Sequence, residues 1–261
     1  MNPALKAVVF DWAGTMIDFG SRAPVLALIK LFEAANLPIT EAEARADMGM
    51  AKSDHIAAIL ATPRVRSAWA AIYGREPDAA DAAALFSRIP PMMREAAREC
   101  AQLIPGAAAV VARLRAAGVK IGSCTGYTRD MMVDILPLAE AQGYKPDLLV
   151  CAGDTAAGRP SPLMLWKNLV ELGAWPATAC VKLDDAEVGI AEGRAAGVWT
   201  IGIAASGNCV GLSQEAFEAL PPEGRTARVA EARLKLEKAG AHLVIDTVAD
   251  LPDALEKLSI G

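Results

Sequence analysis

The chain has 261 residues, of which 53% are hydrophobic and 22% charged, and its net charge at pH 7 is −5. This composition excludes a disordered chain and is sufficient for a large core. The acidic balance, without an aromatic and basic patch, argues against nucleic acid as a partner. Only four apolar residues precede Asp11 in the first predicted strand, which is too few for a signal peptide.

The sequence has no apolar run of about 18 residues, so no membrane span is expected. Its five cysteines are scattered, odd in number and form no CxxC pair. We therefore interpret them as reduced core residues of a cytoplasmic protein.

Short apolar runs that stop at polar residues or glycine recur along the chain, as expected of buried parallel strands. They cover residues 6–10, 119–123, 148–151, 179–183, 200–203 and 242–245. Helical patterns, most of them ending at glycine, lie between the later runs at residues 106–117, 129–142, 162–172, 187–196 and 225–239. This alternation predicts an α/β fold with a doubly wound, Rossmann-like parallel sheet.

One long segment breaks the alternation. No convincing strand occurs in residues 21–100, and helical patterns cover 23–35, 41–48, 52–61, 65–73, 78–87 and 91–103. We therefore expect an all-helical cap domain at 21–100, inserted into an α/β core domain formed by 1–20 and 101–261. Ligands of such sheets bind beyond the carboxyl ends of the strands, and a cap inserted there would cover that edge.

Polar residues collect at the predicted strand ends. Asp11 follows the first strand, Thr125 the second, and Asp184 and Asp185 a later one, while Arg159 lies in a loop before a helix. Such a set suits phosphoryl transfer: a carboxylate attacks phosphorus, Mg²⁺ and the cation neutralise charge, and the hydroxyl holds a phosphoryl oxygen.

These motifs resemble those of the haloacid dehalogenase superfamily, and within it the match narrows to the phosphonoacetaldehyde hydrolase family. The segments that carry the narrower resemblance are DWAGT (11–15), APV (23–25), EARADMGMAKSDHI (43–56), GSCTGYTRDMM (122–132), GYKPD (143–147), AGRPSPLM (157–164) and EGRAAGVWTIG (192–202). The resemblance extends from about residue 6 to residue 250. It implies an enzyme that cleaves a carbon–phosphorus bond in a small phosphonate, with Mg²⁺ as cofactor, and a homodimer joined through the cap.

The resemblance also implies roles for individual residues. Asp11 would be the nucleophile and a magnesium ligand, together with the backbone carbonyl of Ala13 and the carboxylate of Asp185. Asp184 would lie next to these ligands without binding the metal directly. The residues expected to contact substrate are Thr125, Gly126, Tyr127, Arg159, Met48 and His55.

Lys52 is the predicted second catalytic residue. A carbon leaving group needs an electron sink, and an imine between a lysine and the substrate aldehyde supplies one. The amine must be neutral to attack, so we expect its pKa to fall from ~10.4 toward ~7–8. A solvated lysine at a helix start is the alternative. Met48 and His55 have helical spacing from Lys52, although Gly49 interrupts the continuity of that helix.

Two positions depart from the usual superfamily pattern. Most of its phosphatases have an acid at the position of Ala13, and many members have a second acid at the position of Gly189. Asp184 would compensate for Gly189, and Glu187 is another candidate carboxylate. Ser21 and Arg22, at the expected hinge, are candidates for contact with substrate on closure.

Three alternative functions stay open at this point. The first is a phosphate-ester phosphatase or sugar-phosphate mutase, which the missing acid at Ala13 disfavours. The second is a non-catalytic member that binds a phosphorylated ligand, which only Gly189 favours. A haloacid dehalogenase is the weakest, because it would leave Lys52 and the carboxylates of the metal site without a purpose.

Overall fold

The computed structural model describes residues 3–260, and a parallel sheet of six strands lies at its centre. The strands are β1 (Ala7–Phe10), β2 (Lys120–Thr125), β3 (Leu148–Cys151), β4 (Cys180–Asp184), β5 (Trp199–Ile203) and β6 (Leu243–Ile245). Their order is β3-β2-β1-β4-β5-β6, and every pair is parallel. All six predicted strands and the doubly wound plan are thereby confirmed.

Between β1 and β2 lies a helical insertion, and in its described residues 22–100 no strand occurs. Its helices are α1 (Arg22–Glu33), α2 (Glu41–Arg45), α3 (Lys52–Ala61), α4 (Pro63–Tyr73) and α5 (Ala79–Cys100). Capping boxes at Thr40 and Asp78 fix the starts of α2 and α5. The all-helical insertion is therefore present as predicted.

The helices of the α/β layer cover both faces of the sheet. They are α6 (Ala107–Ala116), α7 (Arg129–Met132), α8 (Ile135–Ala141), α9 (Leu163–Leu172), α10 (Glu187–Ala196), α11 (Gln214–Glu218), α12 (Pro222–Lys238) and α13 (Leu251–Glu256). Two short 3-10 helices occupy Ala177–Ala179 and Val248–Asp250. Across the described part of the chain, no helix combines the length and apolarity needed to cross a membrane.

Two helix boundaries predicted from the sequence are wrong. The patterns at 78–87 and 91–103 form one helix, α5, with Pro90 and Pro91 inside it. Ile89 and Met93 on either side of the prolines are fully buried, so packing outweighs the lost helical hydrogen bonds. The pattern at 129–142 instead divides into α7 and α8, because Pro137 has no N–H to donate to the carbonyl of Val133.

Candidate active site

The central position of β1 creates the site. Its neighbours are β2 and β4, and Phe10 lies level with Ser123 and Leu183. Asp11 follows Phe10 and donates its backbone N–H to the carbonyl of Leu183 at 3.0 Å. The residues that end or follow these three strands therefore meet at one edge of the sheet, as predicted.

Three buried carboxylates form the centre of this edge. One oxygen each from Asp11, Asp184 and Asp185 can be chosen so that all lie within 4.8 Å of one another. Burial and the charge of Asp184 raise the pKa of Asp11 to about 6, against the opposing effect of Arg159. Burial and the charges of Asp11 and Asp184 raise the pKa of Asp185 well above its ordinary range.

Arg159 forms ion pairs with two of these three carboxylates. Its Nη1 is 2.8 Å from Asp11 Oδ1 and 3.4 Å from Asp184 Oδ2, and its Nη2 donates to the carbonyl of Cys124 at 2.7 Å. Its Nε donates to Glu192 Oε2 at 3.1 Å. The guanidinium is thus fixed between carboxylates, with one edge on the nucleophile predicted from the sequence.

Lys182 and Glu192 belong to the same buried network, and sequence reasoning gave neither a role. Lys182 Nζ lies 3.1 Å from Asp184 Oδ2 and 3.4 Å from Glu192 Oε2, and both side chains are fully buried. One signal could have identified Lys182. It is a charged residue in an apolar strand, two positions before Asp184 and therefore on the same face of the sheet.

Gly189 is explained by its neighbour Asp184. A Cβ atom at position 189 would lie 2.0 Å from the Cγ of Asp184 and 2.0 Å from its Oδ2. Only glycine leaves room for this carboxylate at the first turn of α10. Glu187, the other candidate carboxylate, is exposed at the start of the same helix and lies outside the cluster.

The loop after β2 forms a second wall. Thr125 ends the strand and is buried, and its Oγ1 accepts the backbone N–H of Tyr127 at 3.2 Å. A Cβ at Gly126 would lie 2.6 Å from the carbonyl oxygen of Met50, so this loop touches the insertion directly. The ring of Tyr127 is buried, and the Nζ of Lys52 lies over its face, 5.8 Å from the ring centroid.

The insertion contributes Lys52, the first residue of α3. Its side chain is only 2% exposed, and Nζ lies 3.8 Å from Met48 Sδ and 3.4 Å from His55 Nδ1. Met48 precedes the helix, and Gly49, with a φ of +93°, makes the turn between them. The three residues therefore lie together although the helix does not include Met48.

Burial sets the electrostatics of this amine. It lowers the pKa of Lys52 to about 8, and the charge of Arg159 acts in the same direction while Asp11 and Asp185 oppose it. Burial, together with Lys52, lowers the pKa of His55 to about 3, so its ring is neutral. Roughly a tenth of Lys52 is therefore uncharged at pH 7, far more than for an exposed lysine.

A single small cavity connects these groups. Its lining includes Lys52 and Met48 from the insertion and, from the sheet edge, Asp11, Ala13, Ser21, Thr125, Gly126, Tyr127, Arg159 and Asp185. Asp184, His55 and Arg22 do not line it. Asp184 and His55 instead contact lining residues from behind.

Comparison with known proteins gives the family of the chain. A family model described as haloacid dehalogenase-like hydrolase matches residues 5–197. The phosphonoacetaldehyde hydrolase of Paraburkholderia xenovorans is 49% identical over 247 residues, which cover 95% of this chain and 92% of that protein. That of Syntrophobacter fumaroxidans is 39% identical over 255 residues, covering 98% and 92%.

A crystal structure of a phosphonoacetaldehyde hydrolase like protein from Oleispira antarctica matches with a TM-score of 0.96 and 41% identity, covering 98% of this chain and 92% of that one. A β-phosphoglucomutase from Clostridium difficile matches with a TM-score of 0.68 at 16% identity, which shows a shared fold alone.

Proposed function

Because the chain belongs to the phosphonoacetaldehyde hydrolase family of the haloacid dehalogenase-like hydrolases, we propose that it hydrolyses the carbon–phosphorus bond of phosphonoacetaldehyde to acetaldehyde and phosphate. One observation carries the proposal: a single cavity holds Lys52 from the insertion together with Asp11 and Arg159 from the sheet edge. Such a substrate needs two nucleophiles, one for the aldehyde carbon and one for phosphorus.

Lys52 is the proposed nucleophile toward carbon. Its neutral amine adds to the aldehyde, water leaves, and an iminium forms. When the C–P bond breaks, its electron pair moves into the iminium and gives an enamine, which protonation and hydrolysis convert to acetaldehyde and free amine. The lowered pKa of about 8 supports this role, and neutral His55 adds no positive charge beside the amine.

Asp11 is the proposed nucleophile toward phosphorus. Its carboxylate forms the new P–O bond as the C–P bond breaks, and water later cleaves the aspartyl phosphate to release phosphate. Arg159, 2.8 Å from Asp11, favours the ionised carboxylate and neutralises charge on the phosphoryl oxygens. The hydroxyl of Thr125 and the backbone of Gly126 are proposed to hold those oxygens, with Tyr127 and Met48 beside the carbon end.

The buried groups fit a magnesium ion. The carboxylates of Asp11 and Asp185 and the carbonyl of Ala13 are proposed as ligands, with Asp184 behind them, and oxygen donors are what this cation prefers. The network holds two cationic side chains, Arg159 and Lys182, against four carboxylates, the fourth being Glu192. Burial and the neighbouring carboxylates raise the pKa of Asp11 and Asp185, and a divalent cation would balance the excess negative charge. When bound, it would supply a Lewis acid at a phosphoryl oxygen.

Ala13 favours this reaction over phosphate-ester hydrolysis. Ala13 lines the cavity, and in phosphatases of the superfamily the matching position carries the acid that protonates a departing alkoxide. An enamine carbon departs without such an acid, because the iminium receives its electrons. A phosphatase or mutase would also leave the buried Lys52 without a function.

The domain arrangement is part of the same proposal. We propose that residues 21–100 act as a cap that closes on a core of 1–20 and 101–261 and excludes bulk water during the reaction. Family membership further supports a homodimer joined through the cap and a cytoplasmic location. Sedimentation velocity of the full chain and of a variant changed on the outer face of the insertion would test the homodimer.

Trapping the imine tests the proposed function. The protein is incubated with phosphonoacetaldehyde and MgCl2, reduced with borohydride, digested and mapped by mass spectrometry. We expect an ethyl or phosphonoethyl group on Lys52, and none in the Lys52→Met variant. Lys167→Met, which removes a partly exposed lysine outside the cavity, should still give the adduct. An adduct on another residue, or none with active protein, would reject the imine.

A further inference from the structure

Arg45, the last residue of α2, joins the insertion to the sheet edge. Only 15% of its side chain is exposed. Its Nη1 donates to the carbonyl of Gly20 at 3.0 Å and to Asn208 Oδ1 at 3.1 Å, and its Nη2 donates to the carbonyl of Gly211 at 2.7 Å. A single guanidinium therefore binds both the segment after β1 and the loop after β5.

The same loop after β5 holds a carboxylate of the proposed metal site. The backbone N–H of Asn208 donates to Asp185 Oδ2 at 2.7 Å, while the Asn208 amide donates back to the carbonyl of Arg45 at 3.4 Å. Gly207 permits this approach, because a Cβ there would lie 2.8 Å from the Cβ of Asp185. Asn208 thus lies between Arg45 and Asp185, with a hydrogen bond to each.

We propose that Arg45 is a positioning residue: it couples closure of the helical insertion to the placement of Asp185, through the loop of Asn208. With the insertion closed, its guanidinium fixes that loop and keeps the Asn208 N–H on Asp185. When the insertion opens, the loop loses these donors and Asp185 loses its fixed orientation. The inference rests on the proposed function, in which Asp185 is a metal ligand.

Planarity and multiple donors make arginine suited to this position. Three of its hydrogen bonds are to acceptors on two separate loops, and a lysine ammonium is a single point charge that cannot span them equally. Arg64 provides a matched control. It also lies in the insertion, but its partners, Glu43 and the carbonyl of Pro38, lie in the insertion too.

The test compares the full-length wild type with Arg45→Met, Arg45→Lys, Asn208→Ala and the control Arg64→Met. Asn208→Ala removes the acceptor of Arg45 but keeps the backbone N–H that binds Asp185. Hydrogen exchange of residues 204–211 and calorimetric titration with MgCl2 are measured without substrate, and kcat and KM for phosphonoacetaldehyde separately.

We expect Arg45→Met and Asn208→Ala to speed exchange in residues 204–211 and to weaken Mg²⁺ binding about tenfold, the effect of losing a hydrogen bond to a charged group. Arg45→Lys should recover part of the affinity, and Arg64→Met should equal the wild type. Unchanged exchange and Mg²⁺ affinity in Arg45→Met, or equal losses in Arg64→Met, would overturn the role of Arg45. Failure of the wild type to release phosphate would reject only the proposed function, because exchange and titration need no substrate.

Discussion

Gly189→Ala is the substitution whose effect the structure defines most sharply. The new Cβ would lie 2.0 Å from the Cγ of Asp184, far inside ordinary contact distance. The carboxylate would have to move, and it is held by Arg159 at 3.4 Å and Lys182 at 3.1 Å. The perturbation therefore acts on the buried ion network and on the proposed metal site behind which Asp184 lies.

The magnitude follows from two opposing effects. Alanine in place of glycine within a helix stabilises a protein by about 0.5–1 kcal/mol. Against this, overpacking costs about 1–3 kcal/mol and disrupting a buried ion pair about 3–5 kcal/mol. We expect Gly189→Ala to lower the free energy of unfolding by about 3–7 kcal/mol and to weaken Mg²⁺ binding.

Urea unfolding and calorimetric Mg²⁺ titration measure both effects. Gly224 in α12 is the matched control, because a Cβ there would have only Pro221 Cδ nearby, at 4.0 Å, so Gly224→Ala should be neutral or stabilising. In an Asp184→Ala background the overlap disappears, and Gly189→Ala should then cost little. An equal cost of Gly189→Ala with and without Asp184 would refute the steric explanation.

Three further predictions concern charge. Lys52→Arg should lower the rate of phosphate release by about 10⁴-fold or more, because a guanidinium keeps the charge but forms no imine. Mg²⁺ affinity should stay close to wild type; steady-state kinetics and calorimetric titration measure the two effects. In wild type, kcat/KM should rise about tenfold per pH unit below pH 8 and level off above it, because the fraction of free amine follows the Lys52 pKa of about 8. A profile that is flat from pH 6 to 9 would contradict the role of Lys52. Lys182→Met should destabilise the fold by about 3–5 kcal/mol by leaving buried carboxylates unpaired, whereas Lys167→Met at the exposed pair with Glu171 should change stability by less than about 1 kcal/mol.

The pH dependence of metal binding gives another prediction with a definite sign. The folded-state pKa of Asp11, about 6, lies above its ordinary value of 3.8, so without metal the folded state holds the extra proton. The contribution of Asp11 to metal-free stability should therefore fall as the pH rises from about 4 to 6, and Mg²⁺ should restore it by competing with that proton. The rise in melting temperature on adding MgCl2 should be larger at pH 7.5 than at pH 5, and an equal or reversed difference would contradict the assignment.

The sheet was predictable because its signals are local. Each buried strand appears as an apolar run ended by a polar residue or glycine, and the carboxyl ends of parallel strands necessarily meet at one edge. Asp11, Thr125 and Asp185 could therefore be placed together from the sequence alone. Helix ends were less predictable: Pro137 divides α7 from α8, while Pro90 and Pro91 do not divide α5. Burial of Ile89 and Met93, which decides the second case, is a tertiary property.

The ion network behind the site could not be predicted in the same way. Lys182 belongs to a strand and Glu192 to a helix, and only their packing brings Lys182 onto Asp184 and Glu192 onto Arg159. The same holds for Gly189. From the sequence alone, a glycine at this position indicates the loss of an acidic residue. In the structure it is the space that the Asp184 carboxylate requires.

Two further glycines show how the insertion brings Lys52 to the cavity. A Cβ at Gly126 would meet the carbonyl oxygen of Met50 at 2.6 Å, and a Cβ at Gly49 would meet the Cγ2 of Val188 at 2.8 Å. Gly126 belongs to the sheet edge and Gly49 to the insertion, so each lets the insertion and the α/β layer approach where a side chain would not fit. A larger residue at either position would push the insertion outward and carry the Lys52 amine away from Asp11. The distance between the two proposed nucleophiles therefore depends on residues that take no part in the chemistry.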